Sequence, residues 1–208
     1  MVLFTLLTAV IGYFLGNLNG AIIVSRAIAH EDVRTKGSGN AGLTNFIRNY
    51  GIHNALLVIL IDVGKAVLAC FACSMLMAPY GYYQEGQVLG GLTVMLGHVF
   101  PALLGFKGGK GILSGFAIAL YIDWRVGALI LGVFALVYLL TQYVSLASVL
   151  SAVTFGVGFV VFHHGSPSVA VGGVLMAALA VFMHRSNILR LIRGEERKTN
   201  LFSKGRKS

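Results

Sequence analysis

The stretch VGALILGVFALVYLLTQYVSLASVLSAVTFGVGFVVF, residues 126–162, decides the fold class, because it continues without a single charged side chain. A helix crosses the hydrocarbon core of a bilayer with about 20 residues, so this stretch is too long for one span. The polar TQYVS near its middle, residues 141–145, is where we place a turn between two helices. The pattern therefore predicts a protein built from membrane-spanning helices.

Apolar runs of this kind recur along the chain of 208 residues, which is 57% hydrophobic and only 11% charged. Because a helix satisfies its own backbone hydrogen bonds inside hydrocarbon, we predict an all-α integral membrane protein with one polytopic domain over residues 1–208. Three of the runs are short, so an arrangement of five spans stays open beside the favoured seven. The seven predicted helices cover residues 2–24, 52–77, 87–104, 111–122, 126–140, 147–162 and 169–183.

The distribution of charge predicts the orientation of the chain. The net charge of +9 does not indicate nucleic-acid binding, because the basic residues flank apolar runs instead of forming one face of a soluble domain. Arg125 is the only lysine or arginine in the predicted outer loops, so the N-terminus is placed outside and the C-terminus in the cytoplasm. The basic tail starts at about residue 185 and ends with Lys204, Arg206 and Lys207. Four polar segments then meet at the cytoplasmic face: residues 36–51, 105–111, 141–148 and 184–196.

The first polar segment, KGSGNAGLTNFIRNYG, has the composition of an anion site. Its glycines permit tight turns, and a helix that begins there offers free backbone N–H groups to an anion. Asn40, Thr44 and Arg48 are spaced by four along that helix, with Asn45 beside them, so they form a polar stripe that ends in a guanidinium. The alternative is a capped interfacial helix whose Arg48 reaches lipid headgroups. We favour a phosphate site.

The second polar segment, GFKGGKG, resembles a phosphate-binding loop, because glycines let backbone amides approach oxygen atoms and lysines add charge. It differs from the nucleotide-binding P-loop, since Gly111 stands where a Ser or Thr would bind magnesium. We therefore predict a second phosphate subsite without a nucleotide, a metal or any other cofactor. The alternative is a flexible turn whose lysines follow the positive-inside rule.

The third polar segment, HRSNILRLIRGEE, begins at the end of the last predicted span with His184 and Asn187. A histidine at this place can act as a general base or donate a hydrogen bond to phosphate. The alternative is a basic juxtamembrane segment that attracts anionic lipid.

Two charged residues inside the second span, Asp62 and Lys65, are three positions apart. An unpaired charge at mid-membrane costs about 2.5 to 3.5 kcal/mol on the insertion scale, so we expect them to pair or to face the bundle interior. Structural support of the site is the favoured role, and a proton path is the alternative. His98, just before the second polar segment, is expected to shape that loop.

In order and spacing, the segments SGNAGLTNFIR, GHVFPALLGFKGGKG and HRSNILRLIRGEE resemble the three cytoplasmic motifs of the PlsY family, the bacterial acyl-phosphate:glycerol-3-phosphate acyltransferases. The resemblance covers residues 17–196. It implies a seven-helix enzyme of the bacterial inner membrane that moves an acyl group from acyl phosphate to the 1-hydroxyl of sn-glycerol 3-phosphate. The products would be 1-acylglycerol 3-phosphate (lysophosphatidic acid) and phosphate, in the first step of phospholipid synthesis.

The resemblance also implies roles for particular residues, with the first motif assigned to glycerol 3-phosphate and the second to acyl phosphate. The sequence departs from the family pattern at Ile112–Ser114, where Val-Ala-Thr is usual, and this change bears on the acyl pocket. Which of Ser145 and Ser148 belongs to the site stays open. The implied catalytic residues are Ser38, Arg48, Lys107, His184 and Asn187. The implied substrate-binding residues are Gly39, Asn40, Thr44, Asn45, Gly108, Gly109, Lys110, Gly111, Ser145, Ser148, Arg190 and Glu196.

An acyl phosphate is an activated anhydride, so the reaction needs two phosphate sites and a positioned hydroxyl, and no covalent nucleophile. We expect a phosphate oxygen of the substrate to take the hydroxyl proton, with His184 as the alternative base. The competing function is a transporter or exchanger of a phosphorylated metabolite. The small chain, the lack of an internal repeat and the grouping of polar residues at one face argue against it. A soluble partner that makes acyl phosphate stays open.

Overall fold

The structure is a computed structural model that describes residues 2–199, and over that range it is built from α-helices joined by short turns. The basic residues predicted to end the tail, Lys204, Arg206 and Lys207, lie outside the described residues. The helices are α1 Val2–Gly16, α2 Gly20–Ala29, α3 Leu43–Tyr50, α4 Ala55–Met77, α5 Tyr83–Val99, α6 Ile112–Ile122, α7 Trp124–Thr141, α8 Val144–Phe162, α9 Pro167–Met183 and α10 Arg185–Ile192.

The helices confirm an all-α membrane protein, whereas the count of seven spans is not confirmed. Five stretches in the described chain are long and apolar enough to cross a bilayer, if α1 and α2 are taken together. A sixth results if α9 and α10, which are bent by 56° at His184, form one broken span. With 11 residues α6 is about 16 Å long, roughly half the thickness of the hydrocarbon core.

The first predicted span, residues 2–24, is interrupted, which corrects the expectation of one continuous helix. The break lies at residues 17–19, where the Asn19 side chain accepts a hydrogen bond from Ile22 N at 3.0 Å and so caps α2. The Asn17 side chain accepts from Leu103 N at 3.0 Å. Asn17 thus ties the break to the chain that leads into the second polar segment, and Asn19 Nδ2 ties it to the first by donating to the Ala41 carbonyl oxygen at 3.0 Å.

The predicted turn in residues 141–145 is confirmed. Helix α7 ends at Thr141, the next residue Gln142 adopts a left-handed backbone with φ 60°, and α8 begins at Val144. The two helices pack against each other, and α8 packs in turn against α9. The long uncharged stretch is therefore a helical hairpin.

Helices α4 and α5 approach closely because α5 carries glycine where it meets α4. A Cβ atom at Gly86 or Gly90 would lie only 2.6 Å from the carbonyl oxygen of Cys73 or Ala69. Small residues of this kind let membrane helices pack backbone to backbone. The main apolar core forms around this contact and is shared by all six helices from α4 to α9.

A second apolar cluster lies at the end of the bundle where the first polar segment folds. Val33, Ala41 and Phe46 are fully buried there against Ile22 of α2 and Val58 of α4. This cluster fixes α3 and the loop before it on the bundle.

Candidate active site

A cavity of about 1000 Å³ opens among the polar segments and extends into the helix bundle. All four segments predicted to meet contribute to its walls, so the convergence expected from the sequence is confirmed. One end is polar and the other is apolar, where the walls come from helices α5 to α9. Residues of the apolar end are Met95, Phe116, Ile130, Phe134, Phe155, Met176 and Ala177.

Three helices begin at the polar end of the cavity. The first residues of α3, α6 and α10, namely Leu43, Ile112 and Arg185, all belong to its walls. The backbone N–H groups of a first helical turn have no partner within the helix and carry a partial positive charge. Three such ends around one cavity make it suited to bind anions.

The first motif is organised by the buried amide of Asn45. Its Oδ1 accepts from Ser38 N at 3.0 Å, and its Nδ2 donates to the carbonyl oxygens of Val33 and Lys36, both at 3.1 Å. The loop also needs a left-handed backbone at Gly39, with φ 72°. Asn45, predicted to bind substrate, therefore holds the loop that presents the other residues. Of the other predicted residues in this motif, the cavity walls include Ser38, Gly39, Asn40, Thr44 and Arg48.

Arg48 points across the cavity towards the end of the described chain, where its guanidinium donates to the Thr199 hydroxyl. Burial lowers the pKa of Arg48, while the nearby Glu196 opposes that shift, and the guanidinium remains charged. Thr199 is itself held by Gln142, whose carbonyl oxygen accepts from Thr199 N at 2.9 Å. The Tyr138 hydroxyl donates to the Thr199 carbonyl oxygen at 2.8 Å. We call residues 194–199 the C-terminal strap.

The two lysines of the second motif have different positions. Lys110 belongs to the cavity walls and donates to the Asn187 side-chain oxygen. Lys107 is exposed, and it is not among the described residues that line the cavity. Its carbonyl oxygen accepts from the Arg34 guanidinium at 2.9 Å. The catalytic role predicted for Lys107 stays a prediction, and the geometry places Lys110 at the centre of the site.

Burial lowers the pKa of Lys110 to about 8, and the positive charges of Arg190 and Arg48 add to that shift while Glu196 opposes it. A lysine in this state is close to half charged at mildly alkaline pH. An anion bound beside it would restore the charged form.

The glycines of the second motif, which were predicted to bind substrate, are also required by the packing of the loop. Gly108 N donates to the Val99 carbonyl oxygen and Gly109 N to that of His98, both at 3.1 Å. A side chain at Gly109 would collide with the His98 ring and with the Ala41 carbonyl oxygen. Gly111 has φ 81° and lies directly before α6. The glycines thus pack the loop tightly on the first motif and turn it into α6.

The third motif forms a chain of hydrogen bonds through Glu196. Its carboxylate accepts from Asn187 Nδ2 at 2.8 Å and from Arg190 Nε at 2.7 Å. Burial raises the pKa of Glu196, but the nearby Ser145 hydroxyl and the hydrogen bonds from Asn187 and Arg190 outweigh burial and keep that pKa below its usual value. Glu196 therefore stays ionised and orients Asn187, whose oxygen is left to face Lys110.

His184 lies in the break between α9 and α10, at the cavity wall. Its Nδ1 is 2.8 Å from the Ala180 carbonyl oxygen, which can only accept, so Nδ1 carries a proton. In the neutral ring Nε2 then has a free lone pair. The geometry makes His184 an acceptor for a hydroxyl group in the cavity.

Comparison with known proteins assigns the family and the fold. A family model described as glycerol-3-phosphate acyltransferase matches residues 6–194. The chain belongs to the glycerol-3-phosphate acyltransferase family. The acyltransferases of Thermoanaerobacter sp. (strain X514) and Synechococcus sp. (strain CC9902) are 37% and 39% identical to it over 196 residues, which cover 94% of this chain and 96% of each relative.

Two crystal structures of PlsY (YgiH), an integral membrane glycerol 3-phosphate acyltransferase, share the fold. The glycerol 3-phosphate form has a TM-score of 0.84 at 27% identity and covers 96% of this chain and 99% of that one. The lysophosphatidic acid form has a TM-score of 0.82 at 26% identity, with 95% and 96% covered. The predicted membership of the PlsY family is thus confirmed, and nothing supports the transporter alternative.

Within this acyltransferase fold, three residues border the site that were not predicted to line it. Asp62, expected to support the site, and His98, expected to shape the second motif, lie at the cavity wall on α4 and α5. Thr199, which no prediction included, reaches Arg48 from the strap. A charged residue inside an apolar span was the available signal for Asp62. Both Ser145 and Ser148 are buried at the cavity wall, so the geometry does not choose between them.

Proposed function

We propose that this acyltransferase moves an acyl group from an acyl phosphate to the 1-hydroxyl of sn-glycerol 3-phosphate, and that it releases 1-acylglycerol 3-phosphate and phosphate. The observation that carries the proposal is the cavity, which joins a cationic end with three helix N-termini to an apolar end. A phosphate headgroup fits the first and a hydrocarbon chain fits the second. The forms in which PlsY was crystallised supply the same acceptor and the same class of product.

An acyl phosphate is the donor that best matches this site. Its mixed anhydride is already activated, so binding energy can be used to hold the two substrates in reacting geometry. Two anionic groups must then lie close together, which needs several cations around them. Arg48, Lys110 and Arg190 provide those cations from three separate motifs.

The transfer needs one bond to form and one to break. The 1-hydroxyl oxygen attacks the carbonyl carbon, the bond from that carbon to the phosphoryl oxygen breaks, and the electron pair leaves with phosphate. His184 Nε2 accepts a hydrogen bond from the hydroxyl and orients it. The proton finally resides on an oxygen of the released phosphate, because that oxygen is a stronger base than the His184 imidazole once the anhydride bond has broken.

The role of His184 has a direct test in single-turnover kinetics with the His184→Ala variant. If His184 only orients the hydroxyl, the rate of the chemical step should fall by about 10- to 100-fold. A loss near 10⁴-fold, the upper range for general-base catalysis, would make His184 the base.

The membrane orientation belongs to the same proposal. We place the protein in the bacterial inner membrane with the N-terminus outside and the polar end of the cavity at the cytoplasm, because basic residues cluster at that end. Glycerol 3-phosphate could then enter directly from the cytoplasm. A soluble enzyme that makes acyl phosphate would meet the same face.

The experiment is a phosphate-release assay on detergent-purified protein with palmitoyl phosphate and glycerol 3-phosphate. We expect release that requires both substrates and falls by more than 100-fold in Arg48→Ala. Arg125→Ala is the matched control, because Arg125 pairs with Asp123 at 2.6 Å at the opposite end of the bundle. Folded wild-type protein that releases no phosphate would contradict the proposal.

A further inference from the structure

A buried polar network lies beneath the second motif. Lys65 Nζ is 2.6 Å from the Leu18 carbonyl oxygen, 2.7 Å from Asp62 Oδ1 and 2.8 Å from His98 Nδ1. All three side chains are at most 5% exposed. The predicted pairing of Asp62 with Lys65 is confirmed, and His98 of α5 is a third member that sequence reasoning did not connect to it.

The network determines which nitrogen of His98 carries the proton. An ammonium group has three N–H donors and no lone pair, and the neighbouring Asp62 carboxylate stabilises the charged form of Lys65. Lys65 therefore donates to His98 Nδ1, which must be the acceptor. In a neutral imidazole the proton then lies on Nε2.

The Nε2–H group of His98 is left facing the site. His98 belongs to the cavity walls, and its Nε2 borders the backbone of Gly109, where any side chain would collide with it. The protein atoms of residues 2–199 include no hydrogen-bond acceptor for Nε2. This donor is accessible from the cavity, so a ligand bound there can accept its hydrogen bond.

We infer that His98 is a substrate-binding residue, whose Nε2–H donates to a phosphoryl oxygen held against the loop of residues 108–111. The inference rests on the proposed function, since it deepens the description of the same site. Both substrates carry such an oxygen, so the kinetics of the variants must tell whether acyl phosphate or glycerol 3-phosphate places it here. Asp62 and Lys65 are positioning residues that fix the tautomer.

The two cavity histidines thus have opposite roles. His184 donates from Nδ1 to a carbonyl oxygen and offers a lone pair at Nε2, whereas His98 accepts at Nδ1 and offers a proton at Nε2. One suits a hydroxyl group and the other suits a phosphate oxygen. Neither can replace the other without a change of tautomer.

A pair of variants separates substrate binding by His98 from a structural role. His98→Asn keeps an acceptor near the position of Nδ1 for Lys65 but removes the donor at Nε2. His98→Gln places an amide donor near the position of Nε2 but gives Lys65 a poorer partner. If His98 binds substrate, His98→Asn should raise KM for one of the two substrates, palmitoyl phosphate or glycerol 3-phosphate, by about 10- to 100-fold at unchanged KM for the other. His98→Gln should recover much of that loss.

Thermal unfolding of both variants in detergent completes the comparison. We expect His98→Gln to be the less stable of the two and yet the more active. A His98→Asn variant with wild-type kinetics, beside an inactive His98→Gln, would mean that His98 serves only the network and would overturn the inference. The substrate whose KM rises is the one that places its phosphoryl oxygen against His98.

The tautomer can also be measured without turnover. In ¹⁵N-histidine-labelled wild-type protein, the resonance that is lost in His98→Gln should show a neutral ring protonated at Nε2. A ring protonated at Nδ1 would overturn the inference even if the enzyme is active. An inactive wild-type protein with the expected tautomer would instead contradict the proposed function, so the two failures are distinguishable.

Discussion

The pH dependence of the enzyme can be predicted from a single residue, Lys110. Its pKa is lowered to about 8, so the cation is present below that pH and is lost as the pH rises through it. KM for the anionic substrates should therefore rise between pH 7 and pH 9. The steady-state rates at saturating substrate should change less, because bound phosphate keeps Lys110 protonated.

The Lys110→Arg variant is the control for this titration, since a guanidinium stays charged over the whole range. It should flatten the increase in KM above pH 8, whatever its effect on the rate. An equally steep pH profile in Lys110→Arg would assign the titration to a different group.

The two lysines of the second motif give a second prediction. Lys110→Met should lower kcat/KM by more than 100-fold, because it removes a buried charge that faces Asn187 and Arg48. Lys107→Met should keep at least a third of the activity, because the Lys107 side chain is exposed outside the cavity. The reverse order in a steady-state assay would restore the catalytic role that the sequence implied for Lys107.

Sequence reasoning could identify the cationic loop, but it could not tell which of its two lysines lines the cavity. Lys107 and Lys110 lie in a glycine-rich turn without regular periodicity, so no face can be assigned to either from spacing. Their positions depend on hydrogen bonds to the carbonyl oxygens of Val99 and His98, which only the folded chain brings close. By contrast Arg48 lies on a short regular helix, where the spacing from Thr44 was informative.

At the scale of elements, the loop before α3 depends on one buried amide. Asn45→Asp changes no volume but removes the donor to the Val33 and Lys36 carbonyl oxygens and places an anion beside them. We expect a loss of about 2 kcal/mol, which corresponds to a fall in Tm of about 4 to 8 °C for a chain of this size. The measurement is thermal unfolding in detergent.

Asn54→Asp is the matched control for this change. Asn54 lies directly before α4 and its side chain makes no capping hydrogen bond there, while an acid at that end of a helix is favourable. Its Tm should be unchanged or slightly higher. An equal fall in both variants would mean that added negative charge, and not the Asn45 contacts, destabilises the protein.

The elements themselves were largely predictable, because long apolar runs can satisfy their backbone in lipid only as helices. The break at residues 17–19 was not predicted, although two asparagines around Leu18 were a visible signal. A polar pair inside an apolar run is equally compatible with a helix that packs on its neighbours. The bonds of Asn17 to Leu103 N and of Asn19 to Ala41 O decide between these cases, and they join distant parts of the chain.

At the scale of the whole molecule, the apolar end of the cavity should determine the acyl chain. Gly115 on α6 borders the cavity, and a Cβ atom there would meet only the Met95 sulfur, at 3.9 Å. The larger side chain in Gly115→Leu therefore has room and would project into the acyl space. We expect kcat/KM to fall at least 10-fold for palmitoyl phosphate and much less for octanoyl phosphate.

Gly132→Leu is the control for the change in chain preference. It adds the same side chain to a helix at a place where no other atom lies within 4 Å of a new Cβ, on the exposed face of α7. Its preference for chain length should match the wild type. A similar shift in both variants would indicate a general effect on the bundle.

The assembly of this cavity could not be predicted from the sequence. The helices that form the apolar end are hydrophobic on all sides, so their pattern does not distinguish a lipid-facing side from a cavity-facing side. The polar end was predictable because charged and glycine-rich segments stand out in a membrane protein. Sequence reasoning therefore predicted the polar end, where we propose that the phosphates bind, and left the path of the acyl chain to the structure.

The C-terminal strap has a practical consequence for anyone who handles this enzyme. Thr199 is tied to Arg48 at the cavity. An affinity tag or a fluorescent reporter joined directly after Thr199 would therefore lie beside the proposed substrate site. Helix α1 begins elsewhere, since the rings of Phe4 and Tyr80 are 4.9 Å apart at the far end of the bundle. A tag placed before α1 leaves the cavity free.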